Sequence, residues 1–239
     1  YYRVNKMKGF VITLVGNPVS ESGAVECIKS SHAVGNDFVI QSVKAVKPEN
    51  AWENLAKEKI KWAYPWDESK LDFSTGLSLS PYQTADKRKR VGCFMSHYKL
   101  WQECIKLNEN ILILEHDAVF TNKLEYDTIV DNKYGVIGIN DPRGATRKSH
   151  VYHTLICESR WPVQRVPQID NVMIPQGLAG NSAYIIKPWA AKKVIQKVNE
   201  MGAWPNDALL CYQIFGIAFL GVTKKYYTRV QGLPSTTTL

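Results

Sequence analysis

Short runs of apolar residues alternate along this chain with segments of helical period, and this alternation limits the folds open to it. The segments "FVITLV" at 10–15 and "ILIL" at 111–114 are apolar at nearly every position instead of every second one. A strand of that kind is buried on both faces, as in parallel sheets covered by helices on both sides. The sequence therefore predicts an α/β fold with a mostly parallel central sheet flanked by helices.

The same patterns predict the remaining elements. Further strands are expected at 37–46 and 135–139, and helices are expected within "AVECIKSS", "AWENLAKEKIKWA" and "CFMSHYKLWQECIKL", after Pro188 and after Pro205. The region from Asp141 to Gln176 shows no clear period and is rich in Pro, Arg, His and Trp. We interpret 141–176 as a long loop or lid within a single domain that covers 1–239.

Charge and cysteine content indicate the kind of partner and compartment to expect. A formal net charge of +8 favours an anionic partner, such as nucleic acid, an anionic membrane surface or a phosphorylated small molecule. Five cysteines without a CxxC pair indicate reduced thiols, neither a disulfide framework nor a zinc finger. Because no apolar run approaches the ~18–20 residues needed to cross a bilayer and no cleavable signal opens the chain, we expect a cytoplasmic protein, at most peripheral to a membrane.

Two carboxylates stand at the end of the "ILIL" strand. In extended chain Glu115 and Asp117 point to the same side and His116 points to the other. Ligands of an open parallel sheet gather at the carboxyl ends of its strands. The pair can therefore hold a divalent cation, which would take oxygens from a substrate phosphate and neutralise charge on a diphosphate leaving group. The competing interpretation is that both acids only begin a solvated loop.

Three other groups carry candidate chemistry, each with a structural alternative. The run "DKRKR" at 86–90 is either a solvated loop or a contact for phosphates, and it lacks the interleaved aromatic residues that would favour nucleic acid. Cys93 and His97 share a helix face, which allows a nucleophile pair, but a packed histidine is the simpler interpretation because no third orienting group is evident. The helix dipole alone explains Asp207 in the first turn of a helix.

Several motifs stand in a recognisable order along the chain. The segment "VGCFMSHYKLWQECI…ILILEHDAVF" is followed by "GLAGNSAYIIKPWAAKKVI" and "WPNDALL", and "FVITL" precedes them. This combination resembles glycosyltransferase family 25, where a GC-x-x-SH-x-x-x-W helix precedes a strand that ends in Glu-Asp-Asp. The family includes lipopolysaccharide biosynthesis enzymes and collagen galactosyltransferases. The resemblance covers most of the chain but leaves 141–176 unmatched.

The resemblance implies a GT-A-type, Rossmann-like fold and a hexosyltransferase activity. Such an enzyme moves galactose or glucose from a UDP-sugar to a hydroxyl of a glycan or other acceptor, with inversion. An inverting transfer needs a general base for the acceptor proton. The resemblance also implies roles for site residues: metal and donor binding by Glu115 and Asp117, a donor side shaped by Gly92, Ser96 and His97, and acceptor binding or base catalysis by Asp207.

The sequence departs from the family pattern at two places. The middle acid of the triplet is His116. If the last acid is the chief metal ligand, Asp117 preserves the site. If the middle acid is the chief ligand, His116 either ligates the cation, which favours Mn²⁺ over Mg²⁺, or marks a lost activity. The segment "VGNPVSES" replaces an arginine-bearing segment after the first strand, so one contact to an anionic donor is missing and the chain looks like a divergent member. The alternative function is therefore a non-catalytic relative that binds a glycan or an anionic polymer.

The region 143–165 is the candidate acceptor side. It contains Arg143, Arg147 and Trp161 among other basic and aromatic residues. Aromatic faces can stack on sugars, and guanidinium groups can pair with phosphate or carboxylate groups of an anionic acceptor. The alternative is a disordered surface loop.

Overall fold

A seven-stranded sheet organises the computed structural model, which describes residues 7–144 and 148–236. The strands are β1 Lys8–Thr13, β2 Ile40–Lys44, β3 Lys70–Asp72, β4 Leu77–Leu79, β5 Ile111–Glu115, β6 Ala118–Phe120, β7 Val136–Gly138, β8 Val163–Arg165, β9 Ala183–Ile186, β10 Leu220–Thr223 and β11 Thr228–Val230. The α-helices are α1 Pro18–Ala33, α2 Ala51–Lys57, α3 Lys87–Leu107, α4 Tyr126–Val130, α5 Ser149–Glu158, α6 Pro188–Met201, α7 Asn206–Leu209 and α8 Tyr212–Phe215, with 3₁₀ turns at Pro48–Asn50 and Pro142–Gly144.

The central sheet is mostly parallel, as predicted. Its strand order is β2-β1-β5-β9-β7-β10-β8. β1 pairs in parallel with β2 and β5, and β7 pairs in parallel with β10. β9 lies antiparallel between β5 and β7, and β8 is antiparallel at the edge beside β10. The start of β9 therefore lies at the same sheet edge as the ends of β1 and β5.

Both faces of this sheet are buried, which explains why its strands are apolar throughout. Ile12 and Ile113 belong to one hydrophobic cluster, together with α2, α3 and α6. Val11, Leu112 and Leu114 belong to a second cluster on the opposite face, which includes residues of α1 and α4. Full burial of such a side chain stabilises a fold by about 1.5–3 kcal/mol. A shift in register would move these side chains to the opposite face, so strands that contribute residues to both clusters are held in one register.

The helices α2 and α3 differ in length from the prediction. α3 begins at Lys87, so most of the basic run "DKRKR" forms its first turn, and the Asp86 carboxylate caps it by accepting from the Arg88 N–H at 3.0 Å. The predicted stripe of "AWENLAKEKIKWA" is wrong beyond Lys57, because Lys59 adopts a left-handed conformation with φ 58°. The Ala63 N–H then donates to the Ala203 carbonyl at 3.0 Å.

The prediction that 141–176 forms a long loop or lid is wrong in part. The region contains α5, which buries Tyr152 and Ile156 one turn apart, and β8, which extends the sheet. The helix expected after Pro205 is divided into α7 and α8. The division lies where Gly177 approaches the chain so closely that a Cβ there would meet the Leu210 carbonyl oxygen at 1.8 Å. Within 7–144 and 148–236, no helix has both the length and the apolar character to cross a membrane.

Candidate active site

A cleft with a cavity volume of about 320 Å³ opens at the sheet edge where β1 and β5 end and β9 begins. Its walls come from chain segments that are far apart in sequence: the ends of β1 and β2, the first turns of α3, the turn after β5, the residues before β9, the start of α7, and the residues around and after β11. The described chain thus brings most of the predicted site residues into one concave surface, at the place where α/β sheets bind ligands.

The three residues after the "ILIL" run all contribute to this cleft. Glu115 ends β5, and His116 and Asp117 form a tight turn into β6. The prediction that His116 points away from both acids assumed an extended chain, whereas the chain turns at His116 and Asp117. The turn is held from the far side by Gln231, whose backbone N–H donates to the Asp117 carbonyl at 2.8 Å and whose Nε2 donates to the His116 carbonyl at 3.2 Å.

Glu115 is fixed by hydrogen bonds to both of its carboxylate oxygens. His97 Nε2 lies 3.1 Å from Oε1, and the Ser182 hydroxyl donates to Oε2 at 3.4 Å. Burial opposes the charged form of Glu115, but four effects together outweigh it and hold its pKa below the ordinary value. In order, they are the hydrogen bond from His97, the charge interactions with His97 and with His116, and the hydrogen bond from Ser182. Glu115 is therefore an ionised, oriented carboxylate at neutral pH.

Behind Glu115, a buried chain of hydrogen bonds runs through α3 and β9. Trp101 Nε1 donates to the Tyr184 hydroxyl at 2.9 Å, and that hydroxyl lies 2.8 Å from His97 Nδ1. Indole nitrogen can only donate, so the single hydroxyl proton is free to go to His97 Nδ1. We assign His97 the tautomer with its proton on Nε2, which is then donated to Glu115. His97 is 0% exposed, and its two ring nitrogens are bonded to Tyr184 and Glu115. Its contact with the acidic side of the cleft is therefore made through Glu115.

Tyr184→Phe is expected to lower the free energy of unfolding by about 2–4 kcal/mol, because it leaves Trp101 Nε1 and His97 Nδ1 buried without this partner. Urea denaturation measures the loss. Tyr126→Phe is the matched control, since the Tyr126 hydroxyl accepts from Asn110 Nδ2 at 3.0 Å in a half-buried position. Equal, small losses in both variants would contradict the assigned network.

Asp117 differs from Glu115 in having an unsatisfied oxygen. Its Oδ1 is buried and has no hydrogen-bond partner among the described residues. Burial, and then the negative charge of Glu115, raise the pKa of Asp117 to about 7. A hard cation bound here would give the unpartnered Oδ1 a ligand and would offset the repulsion between the two carboxylates. Burial also lowers the pKa of His116, which keeps the imidazole neutral and able to ligate. The residues present therefore fit a divalent cation.

A second potential ligand set consists of Cys93, His97 and Glu115, whose ligand atoms lie within 4.8 Å of one another. This set fits a cation less well than the set of Glu115, His116 and Asp117. Both His97 nitrogens are engaged, and burial together with the Glu115 charge raises the pKa of the Cys93 thiol well above its usual value. The same facts disfavour Cys93 as a nucleophile activated by His97, because His97 Nε2 is directed to Glu115.

Asp207 and Arg90 form the opposite side of the cleft. Asp207 lines the cleft from the first turn of α7, where its surface remains accessible but the surrounding cleft walls limit its hydration. This desolvation, followed by the charge of Glu115, raises the pKa of Asp207 to about 6. Arg90 acts in the other direction on that pKa. Its guanidinium lies 4.6 Å from the centre of the Tyr82 ring and donates through Nε to the Thr84 hydroxyl at 2.9 Å. Lys89 lines the same wall, so part of the basic run does reach the cleft.

The predicted donor residues on α3 lie at different depths. Ser96 lines the cleft; its hydroxyl accepts from the Val46 N–H at 2.9 Å and donates to the Gly92 carbonyl at 2.7 Å. Gly92 lies behind this surface, where a Cβ would meet the Val46 carbonyl oxygen at 2.7 Å. Gly92 thus permits the close approach of α3 to the segment after β2, and Ser96 fixes it.

The predicted acceptor residues lie outside the cleft wall in the described part of the chain. Arg143 pairs with Asp141 at 2.7 Å, although its neighbour Gly144 does reach the cleft. Trp161 is 60% exposed, with the Arg160 guanidinium 5.1 Å from its ring centre. Arg147 lies outside the described residues. Their acceptor role stays a prediction.

Several cleft residues were not predicted from the sequence. Ser182 and Asn181 come from the segment before β9, and Asn206 comes from α7 beside Asp207. Both amide atoms of Asn181 and the Oδ1 of Asn206 are buried and unpartnered among the described residues. The signal available in the sequence was the run of polar residues directly ahead of an apolar strand, which locates them at a strand end but does not say at which edge of the sheet.

Comparison with known proteins gives a family match over most of the chain. A family model described as glycosyltransferase family 25 (LPS biosynthesis protein) matches residues 36–210. Among solved structures, the galactosyltransferase LgtC in complex with donor and acceptor sugar analogs is 12% identical, with a TM-score of 0.41, over 90% of this chain and 72% of that one. Mouse xyloside xylosyltransferase 1 is 8% identical, with a TM-score of 0.41, over 88% of this chain and 81% of that one. No curated protein sequence matches significantly.

Proposed function

Because the chain belongs to glycosyltransferase family 25, we propose that this nucleotide-sugar-dependent glycosyltransferase moves galactose or glucose from a UDP-sugar to a hydroxyl of a glycan, with inversion and with a divalent cation. The family predicted from the sequence motifs is confirmed.

The orphaned Oδ1 of Asp117, next to the ionised Glu115, is the observation that supports a cation site. Asp117 and Glu115 would hold the ion, with the neutral His116 as a further ligand that favours Mn²⁺ over Mg²⁺. When bound, the cation neutralises the charge that develops on the departing diphosphate. Glu115 is kept charged and oriented by His97 and Ser182, so this side of the cleft needs little rearrangement on binding.

The basic side of the cleft complements the donor phosphates. Lys89 and Arg90 lie in the first turn of α3, where a helix N-terminus and positive side chains both favour anions. Positive groups at this point replace the contact expected from the missing arginine segment after β1. The proposed donor pose therefore places the diphosphate between the start of α3 and the turn after β5.

Asp207 is the candidate general base. In an inverting transfer, the acceptor oxygen forms a bond to the anomeric carbon while the bond from that carbon to the diphosphate oxygen breaks, and the acceptor proton passes to the base. A carboxylate with its pKa near 6 is deprotonated at neutral pH and is a stronger base than an ordinary aspartate. Asp207 faces the same cleft as Glu115, which allows acceptor and donor to meet there.

The net charge of +8 supports an anionic acceptor, and we propose a cytoplasmic enzyme that works at or near an anionic membrane surface. Arg143, Trp161 and the neighbouring segment would contact the acceptor beyond the cleft. These groups are on the surface and accessible.

The test is release of nucleoside diphosphate from a panel of nucleotide sugars, with Mn²⁺, with Mg²⁺ and with a chelator. We expect release from a UDP-hexose that depends on the cation and is higher with Mn²⁺. Since a missing acceptor can suppress turnover, calorimetric binding of the same donors is measured in parallel. Absence of both release and cation-linked binding would overturn the proposal and favour a non-catalytic relative that binds glycans.

A further inference from the structure

The side-chain amide of Asn181 lines the cleft, and both of its polar atoms lack a hydrogen-bond partner in the part of the chain that the structure describes. The residue is 3% exposed, and neither its Nδ2 nor its Oδ1 has a hydrogen-bond partner among the described residues. Leaving a buried amide unpaired is costly, and an amide has both donor and acceptor capacity to satisfy. Because both atoms are free, this conclusion holds for either orientation of the amide. Asn181 is therefore built to be completed by a ligand that enters the cleft.

The chemistry of the free atoms indicates which part of a ligand completes them. Phosphate oxygens accept hydrogen bonds and would satisfy only Nδ2, and a metal ion would engage only Oδ1. Sugar hydroxyls both donate and accept, so one or two neighbouring hydroxyls satisfy both ends of the amide. Asn206 adds a second buried acceptor, since its Oδ1 has no hydrogen-bond partner within 7–144 and 148–236, while its Nδ2 donates to Cys93 Sγ at 3.8 Å.

The two amides flank the carboxylates. Asn181 is adjacent to Ser182, whose hydroxyl donates to Glu115, and Asn206 is adjacent to Asp207. We infer that Asn181 and Asn206 read the hydroxyl groups of the transferred sugar and so determine which hexose is accepted. This inference rests on the proposed function, because it assigns the sugar end of the donor to a part of the same cleft. It gives the site a hydroxyl-reading wall distinct from the carboxylates and the basic residues of α3.

If Asn181 binds the sugar and not the nucleotide, its loss should affect a UDP-hexose and leave UDP alone, so the experiment compares these two ligands. Calorimetry in the presence of Mn²⁺ measures the dissociation constants of UDP and of the UDP-hexose that the wild-type protein binds. Asn181→Ala is expected to weaken binding of the UDP-hexose by roughly tenfold and to change UDP binding by less than about twofold. Asn181→Ser, which keeps a hydroxyl that can donate and accept, is expected to recover part of the loss.

Tyr212→Phe is the matched control. Among the described residues, the Tyr212 hydroxyl is also buried without a hydrogen-bond partner, but Tyr212 is not part of the cleft wall. Removal of this hydroxyl is therefore expected to leave both dissociation constants unchanged. Thermal unfolding confirms that each variant is folded before it is titrated.

A second comparison uses UDP conjugates of deoxyhexoses. A site that hydrogen-bonds a hydroxyl rejects the analogue that lacks it, so wild-type protein is expected to discriminate against at least one deoxy analogue and Asn181→Ala to lose that discrimination. Equal weakening of UDP and UDP-hexose in Asn181→Ala, or unchanged binding of both, would overturn the inference while the proposed function stands. If wild-type protein binds no UDP-hexose, the proposed function itself fails, and the inference fails with it.

Discussion

Asp117→Asn is expected to lower kcat/KM for the nucleotide sugar by about three orders of magnitude, equivalent to about 4 kcal/mol of transition-state stabilisation. The substitution keeps the size of the side chain but removes the charge that the orphaned Oδ1 offers to a cation. Steady-state release of nucleoside diphosphate at saturating Mn²⁺ measures the effect.

The same variant distinguishes loss of cation binding from damage to the fold. In the unliganded protein Asp117 is buried beside the Glu115 charge, which raises its pKa to about 7, so a neutral amide at this position is not expected to destabilise the fold. A ligand that binds the folded state raises the melting temperature, so Mn²⁺ should raise Tm for the wild type but not for Asp117→Asn.

Asp127→Ala is the control, because Asp127 is an exposed carboxylate of α4 outside the cleft. This variant should retain both the turnover and the rise in Tm with Mn²⁺. If Asp117→Asn kept full, Mn²⁺-stimulated turnover, Asp117 would not be the cation ligand. If it lost turnover and unfolded at a much lower temperature than the control, the loss would reflect the fold instead.

Asp207→Asn is expected to lower kcat by about 10²- to 10⁴-fold, the range typical of a lost general base, with little change in the affinity for the donor. The wild-type pH profile tests the same role independently. A base works in its deprotonated form, and the pKa of Asp207 is raised to about 6 by burial and by Glu115. kcat/KM should therefore fall as the pH drops through about 6 and level off above it.

The pH-rate profile of Asp207→Asn is the internal control for this assignment. Its residual activity should lack the step near pH 6 if Asp207 is the group that titrates. A residual profile that retains the step, or a variant with more than about half of the wild-type kcat, would assign the base to another residue.

Periodicity predicted the parts of the fold that depend on local burial. The apolar runs predicted strands buried on both faces, and the segment "CFMSHYKLWQECIKL" predicted most of α3, in which Phe94, Tyr98 and Trp101 belong to one hydrophobic cluster. Each of these patterns reflects the packing of one element against one core. The helix expected within "AWENLAKEKIKWA" ends early, because periodicity also counts apolar residues that reach the core from outside a helix. Ile60 is buried in the cluster that Leu55 joins, so its apolar character is real, but it reaches the core from a chain that has already left the helix at Lys57.

The candidate site was predicted only as far as contiguous sequence allows. Glu115 and Asp117 are two residues apart in the sequence, so their shared cleft was expected. The turn at His116 was not, because it is held by Gln231, which directly follows β11. The partners of Glu115 come from 18 residues earlier, in His97, and from 67 residues later, in Ser182. The contact with Ser182 depends on the antiparallel direction of β9, and the contact with His97 depends on the packing of α3 against β5; periodicity encodes neither.

The direction of β9 has a consequence for how the specificity of this enzyme can diverge. Parallel strands contribute to the cleft the residues that follow them, but β9 contributes the residues that precede it. The acidic turn and the segment 178–182, which carries the Asn181 of the proposed hydroxyl-binding wall, are therefore separate stretches of sequence that meet through the hydrogen bond from Ser182 to Glu115. Exchanging 178–182 between family members, with Ser182 kept, is therefore expected to transfer preference for a donor sugar while Glu115, Asp117 and the sheet remain those of the recipient.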